Sequence, residues 1–308
     1  MHTYPKIILS IPQQIQSYIE AGMKVPSRQE AETALETIGY YRLRGYCYHL
    51  YDNEKKQYRD GTNFSDIISL YRFDEKLSHL IFEMLSAIEV ALRVRLTESL
   101  LTYGDSLILN DPAVFADKKL YWKNMGNISA EIARSNDVFI RHNFNKHEGQ
   151  IPLWAAVEVM SFGTLSKTIK NLKTGEGTAY AKFAEFYKYK TQRGNFVKPD
   201  KKMLSSWIYA VSILRNMCAH NSRIYNRAIN TTPELIMSDS INPQPRFNGL
   251  YQIILAMKYL RPTDLIWRNF ANDLKRLLEE YSSVVELSRI NFPTDWENHL
   301  FLLKENNI

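Results

Sequence analysis

The stretch from Leu77 to Leu100 carries the strongest structural signal in this sequence. Its apolar residues recur at intervals of three and four, which places them on one face of an α-helix. These residues are Leu77, Leu80, Ile81, Met84, Leu85, Ile88, Ala91 and Leu92. Because a long apolar face must be buried against other elements, this helix is predicted to lie at the centre of the fold. Glu89 and Arg93 stand four apart on it, which favours an internal ion pair that fixes the helix register.

The same helical spacing continues along the chain. A second helix is predicted to begin near Pro199 and Asp200 and to run past Leu214. A third spans roughly residues 250–260, before Pro262, and a fourth covers roughly 265–287. The sequence has neither the alternation nor the Asn-Gly turns of a multi-stranded sheet. It therefore predicts an all-α fold, a helical bundle with additional N- and C-terminal helices and short irregular insertions, as a single mainly helical domain over residues 1–308.

Composition excludes several classes of protein. Hydrophobic residues make up 45% of the chain and charged residues 23%, which is typical of a globular protein. Two cysteines, Cys47 and Cys218, are too few for a disulfide framework or a four-ligand zinc site, so a reducing compartment is favoured. The N-terminus lacks a signal-peptide pattern, and charged residues interrupt the longest apolar helix. We therefore expect a cytoplasmic protein without a membrane partner.

Positive charge is concentrated between Gly163 and Lys202. Ten lysines and arginines there face three acidic residues, a local net charge of 10 − 3 = +7 in a chain whose total is +6. Such a segment is typical of contacts with a phosphate backbone, and Lys188, Lys190, Lys201 and Lys202 are its candidate RNA-binding residues. Alternatively, the lysines around residues 180–190 are the solvated face of a helix that buries Tyr180, Phe183 and Tyr187.

A second segment combines aromatic and basic residues. Between Gly39 and Tyr48 stand four tyrosines and two arginines. They predict either a surface that stacks bases and contacts phosphate through Arg42, or tyrosine rings packed in the core with their hydroxyls reaching water.

The segment from Leu214 to Arg227 is the main candidate for chemistry, because a hydrophobic helix there turns polar and basic. Asn216 and His220 are four apart and share a face, and Arg223 and Arg227 lie on nearly the same stripe if the helix continues. Arg215, five residues before His220, is rotated from it by roughly 140°. One straight helix therefore does not aim both side chains at one phosphate. The helix is kinked here or, as we prefer, two copies of the motif face each other across a homodimer.

These residue types suffice for RNA cleavage. A histidine, with an ordinary pKa of about 6.5, can accept the 2′-OH proton or protonate the leaving 5′-oxygen. Arg215 can stabilise the charge that builds on the phosphorane, and Asn216 can orient the imidazole or contact the phosphate. The expected product is a 2′,3′-cyclic phosphate, with no metal and no small-molecule cofactor. The spacing of an arginine and a histidine is by itself weak evidence for a nuclease. With spacers of four to six residues allowed, 18 arginines and 7 histidines give roughly one such match by chance.

The wider context of the motif resembles a known family. Leu214 to His220, followed by Ser222-Arg223 and Asn226-Arg227, resembles the signature of Abi-like (abortive infection, AbiD/AbiF-type) proteins of the HEPN superfamily. Three upstream segments match in the expected order: Tyr40-Tyr41-Arg42-Leu43 with Gly45-Tyr46, Ile88-Glu89 with Leu92-Arg93, and Pro152-Leu153-Trp154 with Glu158 and Ser161 to Ser166. The resemblance covers roughly residues 10–230. At Asn221 the chain departs from relatives that often have a second histidine.

The resemblance implies a HEPN core at roughly residues 62–232, followed by C-terminal helices at roughly 247–290. It implies a usually dimeric ribonuclease with Arg215 and His220 at its centre, acting in phage defence, where infected cells stop growing as RNA is degraded. A regulatory small noncoding RNA is a further expected partner, and His142, in a matching stretch, is a candidate for the same cleft. The alternative is an RNA-binding HEPN protein that does not cut and serves as sensor or scaffold for a small noncoding RNA.

Overall fold

The computed structural model describes residues 8–191, 193–239 and 249–301, and the regular secondary structure of these residues is almost entirely helical. The first helices are α1 (Ile11–Glu20), α2 (Arg28–Thr37), α3 (Tyr40–Cys47), α4 (Phe64–Leu100), α5 (Lys118–Arg134), α6 (Val138–Lys146) and α7 (Leu153–Val159). They are followed by α8 (Phe162–Lys170), α9 (Ala179–Glu185), α10 (Lys201–Ala219), α11 (Leu250–Leu260), α12 (Asp264–Glu280) and α13 (Trp296–Leu300). The all-α prediction is confirmed.

Short 3-10 turns connect several of these helices. They span Tyr48–Leu50, Leu101–Tyr103, Ile108–Asn110, Pro112–Val114, Met237–Asp239 and Leu287–Ile290. Two small antiparallel hairpins pair β1 (Tyr51–Asp52) with β2 (Gln57–Tyr58), and β3 (Tyr189–Lys190) with β4 (Phe196–Val197). Each strand has two residues, so the hairpins join helices without forming a sheet layer.

The central element is α4, as the apolar spacing predicts. It begins at Phe64 rather than at Leu77, because Phe64, Ile67 and Leu70 continue the buried face toward the N-terminus. Asn63 caps it, with its side-chain oxygen accepting a hydrogen bond from the N–H of Ser65. At about 1.5 Å per residue, 37 residues make a helix about 55 Å long. Along this length α4 packs against α3, α7, α9, α10 and α12.

Helix α10 carries the polar motif at its C-terminal end. It starts after Asp200, as predicted, since the Asp200 carboxylate accepts a hydrogen bond from the N–H of Met203. Trp207, Val211 and Leu214 are fully buried on its inner side, where α10 packs against α4, α8 and α11. The helix is therefore held in place along its whole length.

The C-terminal helices α11 and α12 pack against α10 and α4. Helix α11 is buried on nearly every side, and it ends before Pro262 as predicted. The prediction that the next helix reaches Leu287 is wrong, because α12 ends at Glu280. Two serines follow Tyr281, and the N–H groups of Val284 and Val285 both turn back to the carbonyl of Tyr281. This turn directs the two valines onto the core. No helix in the described ranges has the length and apolar character needed to cross a membrane.

Candidate functional site

The motif lies where α10 ends. His220 caps the helix and donates its N–H to the carbonyl of Asn216, while the N–H groups of Asn221 and Ser222 turn back to Cys218 and Met217. Asn221 takes the left-handed conformation, with φ of 49°, that commonly stops a helix. His220 and Asn216 are both exposed and share one side of α10.

The helix therefore does not continue to Arg227, so the condition under which Arg223 and Arg227 would share the His220 stripe is not met. The left-handed residue Asn221 redirects the chain, so that Ile224 and Tyr225 turn inward and are fully buried. Arg227 remains exposed, whereas Arg223 becomes half-buried.

Arg215 leaves α10 on a different side from His220. Its Nε lies 3.3 Å from Oε2 of Glu89, and its guanidinium lies over the ring of Phe82 at 5.8 Å. Both partners belong to α4. The Arg215 side chain is one-third exposed, and its Nη1 is 3.5 Å from Oδ1 of Asn216. Arg215 is thus held beside α4, while His220 is exposed at the end of α10.

The Glu89 carboxylate forms ion pairs with two arginines, Arg93 and Arg215. Its Oε1 accepts a hydrogen bond from Arg93, which confirms the predicted internal ion pair. Arg93 also donates to the carbonyls of Val157 and Met160 at the end of α7. The carboxylate that meets Arg215 is therefore fixed by a buried arginine, which in turn joins α4 to α7.

Asp74 anchors the loop that follows the motif. Its carboxylate is buried on α4 and accepts hydrogen bonds from the N–H of Tyr225 at 2.7 Å, the N–H of Ile224 at 3.0 Å and the Tyr46 hydroxyl at 2.7 Å. Burial raises the pKa of Asp74 despite these three donors. Sequence reasoning missed this residue, although a lone aspartate on an apolar helix face is a signal of a buried polar contact.

Two arginines join helix α3 to the same loop, one donated by each side. Arg42 donates from Nη2 to the carbonyl of Asn221 at 2.9 Å, and Arg223 donates to the carbonyl of Gly45. The Arg223 guanidinium also lies over the Tyr46 ring at 5.8 Å, and burial lowers the pKa of Arg223. Arg223 therefore holds the loop in place, while Arg42 and Arg227 are exposed on the surface, with Arg42 bonded to the residue after His220.

The tyrosines of the 40–48 segment divide between the two predicted uses. Tyr46 is buried, and the ring of Tyr40 packs 5.2 Å from that of Tyr18. Tyr41 and Tyr48 are exposed on the surface.

A polar cavity of about 130 Å³ opens beside the end of α10. It is lined by Arg42, Tyr46, Tyr71, Asp74, Glu75, Ser78, His79, Asn221 and Ser222. The exposed His79 of α4 thus stands near the motif, a position that the sequence analysis did not assign. Its only sequence signal is that Arg72 and His79 fit a loose arginine–histidine spacing.

The basic candidates gather at the opposite end of α10. Its 19 residues make a helix about 28 Å long, with Lys201 and Lys202 in its first turn. Lys201 donates to the carbonyl of Leu172 at 2.7 Å, and Lys202 pairs with Glu234. Lys188 pairs with Glu185, and Lys190 is exposed on β3. This basic surface is therefore separated from His220 by the length of the helix.

The other residues that the sequence analysis singled out lie on α9, on α6 and within the motif itself. Tyr180, Phe183 and Tyr187 are buried, which confirms the core-facing stripe of α9. His142 is exposed on α6, and its ring contact is with His147, 5.2 Å away. Cys218 is buried beneath the motif, and burial raises its pKa to about 11. Among the described residues, no three His, Cys, Asp or Glu side chains are grouped to hold a metal ion.

A comparison with protein families gives one match. The model of the family described as Abi-like protein matches residues 33–226. This range runs from α2 to the loop after α10, so it contains Arg42, Glu89, Arg215 and His220 and ends before α11. No curated protein and no solved structure gives a significant match.

Proposed function

The chain belongs to the Abi-like protein family, and from this premise we propose that it is a HEPN-type endoribonuclease of phage defence that works in the cytoplasm without a metal ion. The observation that carries the proposal is the exposed His220 at the end of α10, with Arg215 five residues earlier in the same family-matched segment. An exposed imidazole and a partly exposed guanidinium are the groups that phosphodiester cleavage by a 2′-OH requires.

The proposed reaction is a transesterification. The His220 imidazole takes the proton of the 2′-OH, and the 2′-oxygen attacks phosphorus. The bond from phosphorus to the 5′-oxygen breaks, and an acid group returns a proton to that oxygen. The products are a 2′,3′-cyclic phosphate and a 5′-OH. The Arg215 guanidinium, held through Nε beside Glu89, balances the charge that develops on the phosphorane. Asn216 shares a side of the helix with His220 and orients the phosphate or the imidazole.

A second copy of the chain completes the proposed site. Five residues separate Arg215 from His220, a rotation of roughly 140° around the helix, so two copies related by a two-fold axis supply a facing arginine and histidine. Val90 and Val94 support such contact, because they are 60% and 49% exposed on α4, beside the turn that carries Glu89. Exposed valines on a helix next to the site are suited to burial against a partner.

A second candidate function is a non-cleaving RNA-binding protein that holds a small noncoding RNA. It is favoured by the distance between the basic surface and the motif, since Lys190 and Lys202 contact an RNA that need not reach His220. The nuclease requires His220 for growth arrest, whereas the binding protein requires the lysines of the basic surface.

Expression in cells, with sequencing of the RNA that copurifies, separates them. We expect the wild type to arrest growth, and His220→Ala to abolish the arrest while still copurifying with RNA. His147→Ala removes another exposed histidine and should behave as the wild type. Growth arrest that survives His220→Ala, but is lost when Lys188 and Lys190 are replaced by glutamate, would reject the nuclease in favour of the binding protein.

A further inference from the structure

One side of α10 forms an exposed ridge from its first turn to His220. The residues of this ridge recur at intervals of three and four: Lys202, Ser205, Tyr209, Ile213, Asn216 and His220. Lys202, Tyr209, Asn216 and His220 are exposed, and Ser205 and Ile213 are half-buried. The opposite side, with Trp207 and Leu214, is fully buried against the neighbouring helices. The ridge is thus a continuous solvent-facing path about 27 Å long.

Positive charge stands at both ends of the ridge. At the first turn, Lys201 lies close to Lys170 at the end of α8, and burial and the charge of Lys170 both lower the pKa of Lys201. Lys202 is exposed beside them and pairs with Glu234. The like charges of Lys170 and Lys201 favour a bound anion beside them. At the far end, the exposed Arg42 donates to the carbonyl of Asn221, next to His220. A chain of phosphates can contact both ends.

An aromatic ring lies between the two basic ends. Tyr209 is 55% exposed and stands eleven residues before His220, about 17 Å along the axis. An exposed ring flanked by basic groups is the usual platform on which single-stranded nucleic acid stacks a base. Bases in a duplex are already stacked on their neighbours, so such a platform selects unpaired RNA.

We propose that the RNA substrate is single-stranded and binds along this ridge, with a base stacked on Tyr209 and backbone phosphates at Lys170, Lys201 and Lys202. The inference rests on the proposed function and extends it by naming the substrate class and its path to His220. The scissile phosphate then lies a few nucleotides from the stacked base.

A second copy of the chain fits this ridge less well. A helix-to-helix seam at these intervals requires apolar residues, and Ile213 is the sole aliphatic side chain of the ridge. Like charges at both ends would also repel a second copy laid along it. The exposed Val90 and Val94 of α4 offer the more suitable surface for a subunit contact.

The test measures binding of a labelled 12-nucleotide single-stranded RNA by anisotropy, with His220→Ala present in every variant so that the RNA stays intact. Tyr209→Ala should weaken binding by roughly 5- to 150-fold, the range that corresponds to the loss of one base stack. Tyr209→Trp should restore it. Binding of a dinucleotide, which does not reach from His220 to Tyr209, should not change. Phe196→Ala removes an exposed ring from β4, whose hairpin packs near the buried Trp207 side of α10, and it should bind as its parent.

Unchanged affinity in Tyr209→Ala, or an equal loss in Phe196→Ala, would overturn the inference. A change of sedimentation to a smaller species in Tyr209→Ala, without a loss of RNA affinity, would assign the ridge to a subunit contact and also overturn it. The nuclease function is tested separately by cleavage in otherwise unmodified protein. A Tyr209-dependent affinity without any cleavage would reject that function alone, and cleavage without Tyr209-dependent affinity would reject the ridge alone.

Discussion

Arg215 of α10 lies against Glu89 of α4, with the arginine Nε 3.3 Å from Oε2 of the carboxylate. The same carboxylate accepts a hydrogen bond from the buried Arg93, which reaches the carbonyls of Val157 and Met160. The direction of Arg215 is therefore set by α4 and α7 as well as by α10. Damage to this contact should disturb the proposed site even though Glu89 takes no part in the chemistry.

The Glu89–Arg93 pair should be strongly coupled. Both side chains are only 11% exposed, so removing one partner leaves the other charge buried without compensation. Glu89→Gln and Arg93→Met should each lower the free energy of unfolding by about 3 kcal/mol. The double variant should lose clearly less than the sum, as measured by urea unfolding.

Arg28 and Glu32 of α2 supply the matched control for this cycle. They have the same spacing of four but are 65% and 40% exposed, so their coupling should not exceed about 0.5 kcal/mol. Equal coupling in the two pairs would show that burial does not strengthen the pair on α4.

Asp74 should make stability depend on pH with an unusual sign. Burial raises its pKa above the ordinary 3.8, so from that pH upward the folded protein retains a proton that the unfolded chain has lost. Stability relative to Asp74→Asn should therefore be greatest at low pH, and should fall as pH rises from about 4 through the raised pKa. Urea unfolding of both proteins across pH 4–8 measures this difference.

Asp52 provides a comparison of opposite sign. It is only partly buried, and hydrogen bonds from the backbone N–H groups of Lys55 and Glu54 lower its pKa. Stability relative to Asp52→Asn should be present at neutral pH and should be lost only as pH falls below about 4. A wild-type advantage over Asp74→Asn that grows with rising pH would contradict the sign assigned to Asp74.

Arg223 and Arg227 should separate into a structural and an RNA-contacting residue. Arg223→Ala leaves the Gly45 carbonyl and the Tyr46 ring without their partner and should cost about 1–3 kcal/mol of unfolding free energy. Arg227 is exposed, so Arg227→Ala should change stability by less than about 0.5 kcal/mol. Arg227→Ala should instead make the slope of log binding constant against log salt concentration shallower by about 0.7, the effect of one lost phosphate contact. The reverse assignment of the two effects would contradict the geometry of the loop.

A site shared by two chains should show complementation. Arg215→Ala and His220→Ala should each be inactive alone, because each removes one type of residue from both copies. Mixed dimers from coexpression retain one arginine and one histidine and should recover part of the cleavage activity. No recovery in coexpressed mixed dimers, or a monomeric wild type with full activity, would place both residues in a single-chain site.

The sequence predicted the elements whose signals are local. The buried face of α4, the Asp200 cap of α10 and the Glu89–Arg93 pair all follow from spacings of three and four or from neighbouring residues. The point at which α10 ends does not follow from the sequence, because an asparagine in the left-handed conformation is one of several states that the same local sequence allows.

Contacts between distant segments were beyond the sequence pattern. Asp74 meets Ile224 and Tyr225 across about 150 residues, and Arg42 meets Asn221 across 179. Nothing in the local spacing links these positions. The inward turn of Arg223 follows from the same loop, so its function as a structural residue became visible only with the fold.

The most direct test of the account is cleavage of single-stranded RNA by purified protein in EDTA, comparing the wild type with His220→Ala and analysing the ends of the products. We predict that the wild type cuts the RNA and leaves 2′,3′-cyclic phosphate and 5′-OH ends. His220→Ala should retain its fold and RNA affinity but lose cleavage by at least about 100-fold. Full cleavage by His220→Ala, or products with 3′-OH and 5′-phosphate ends, would contradict the claim that His220 carries a metal-independent attack by the 2′-OH.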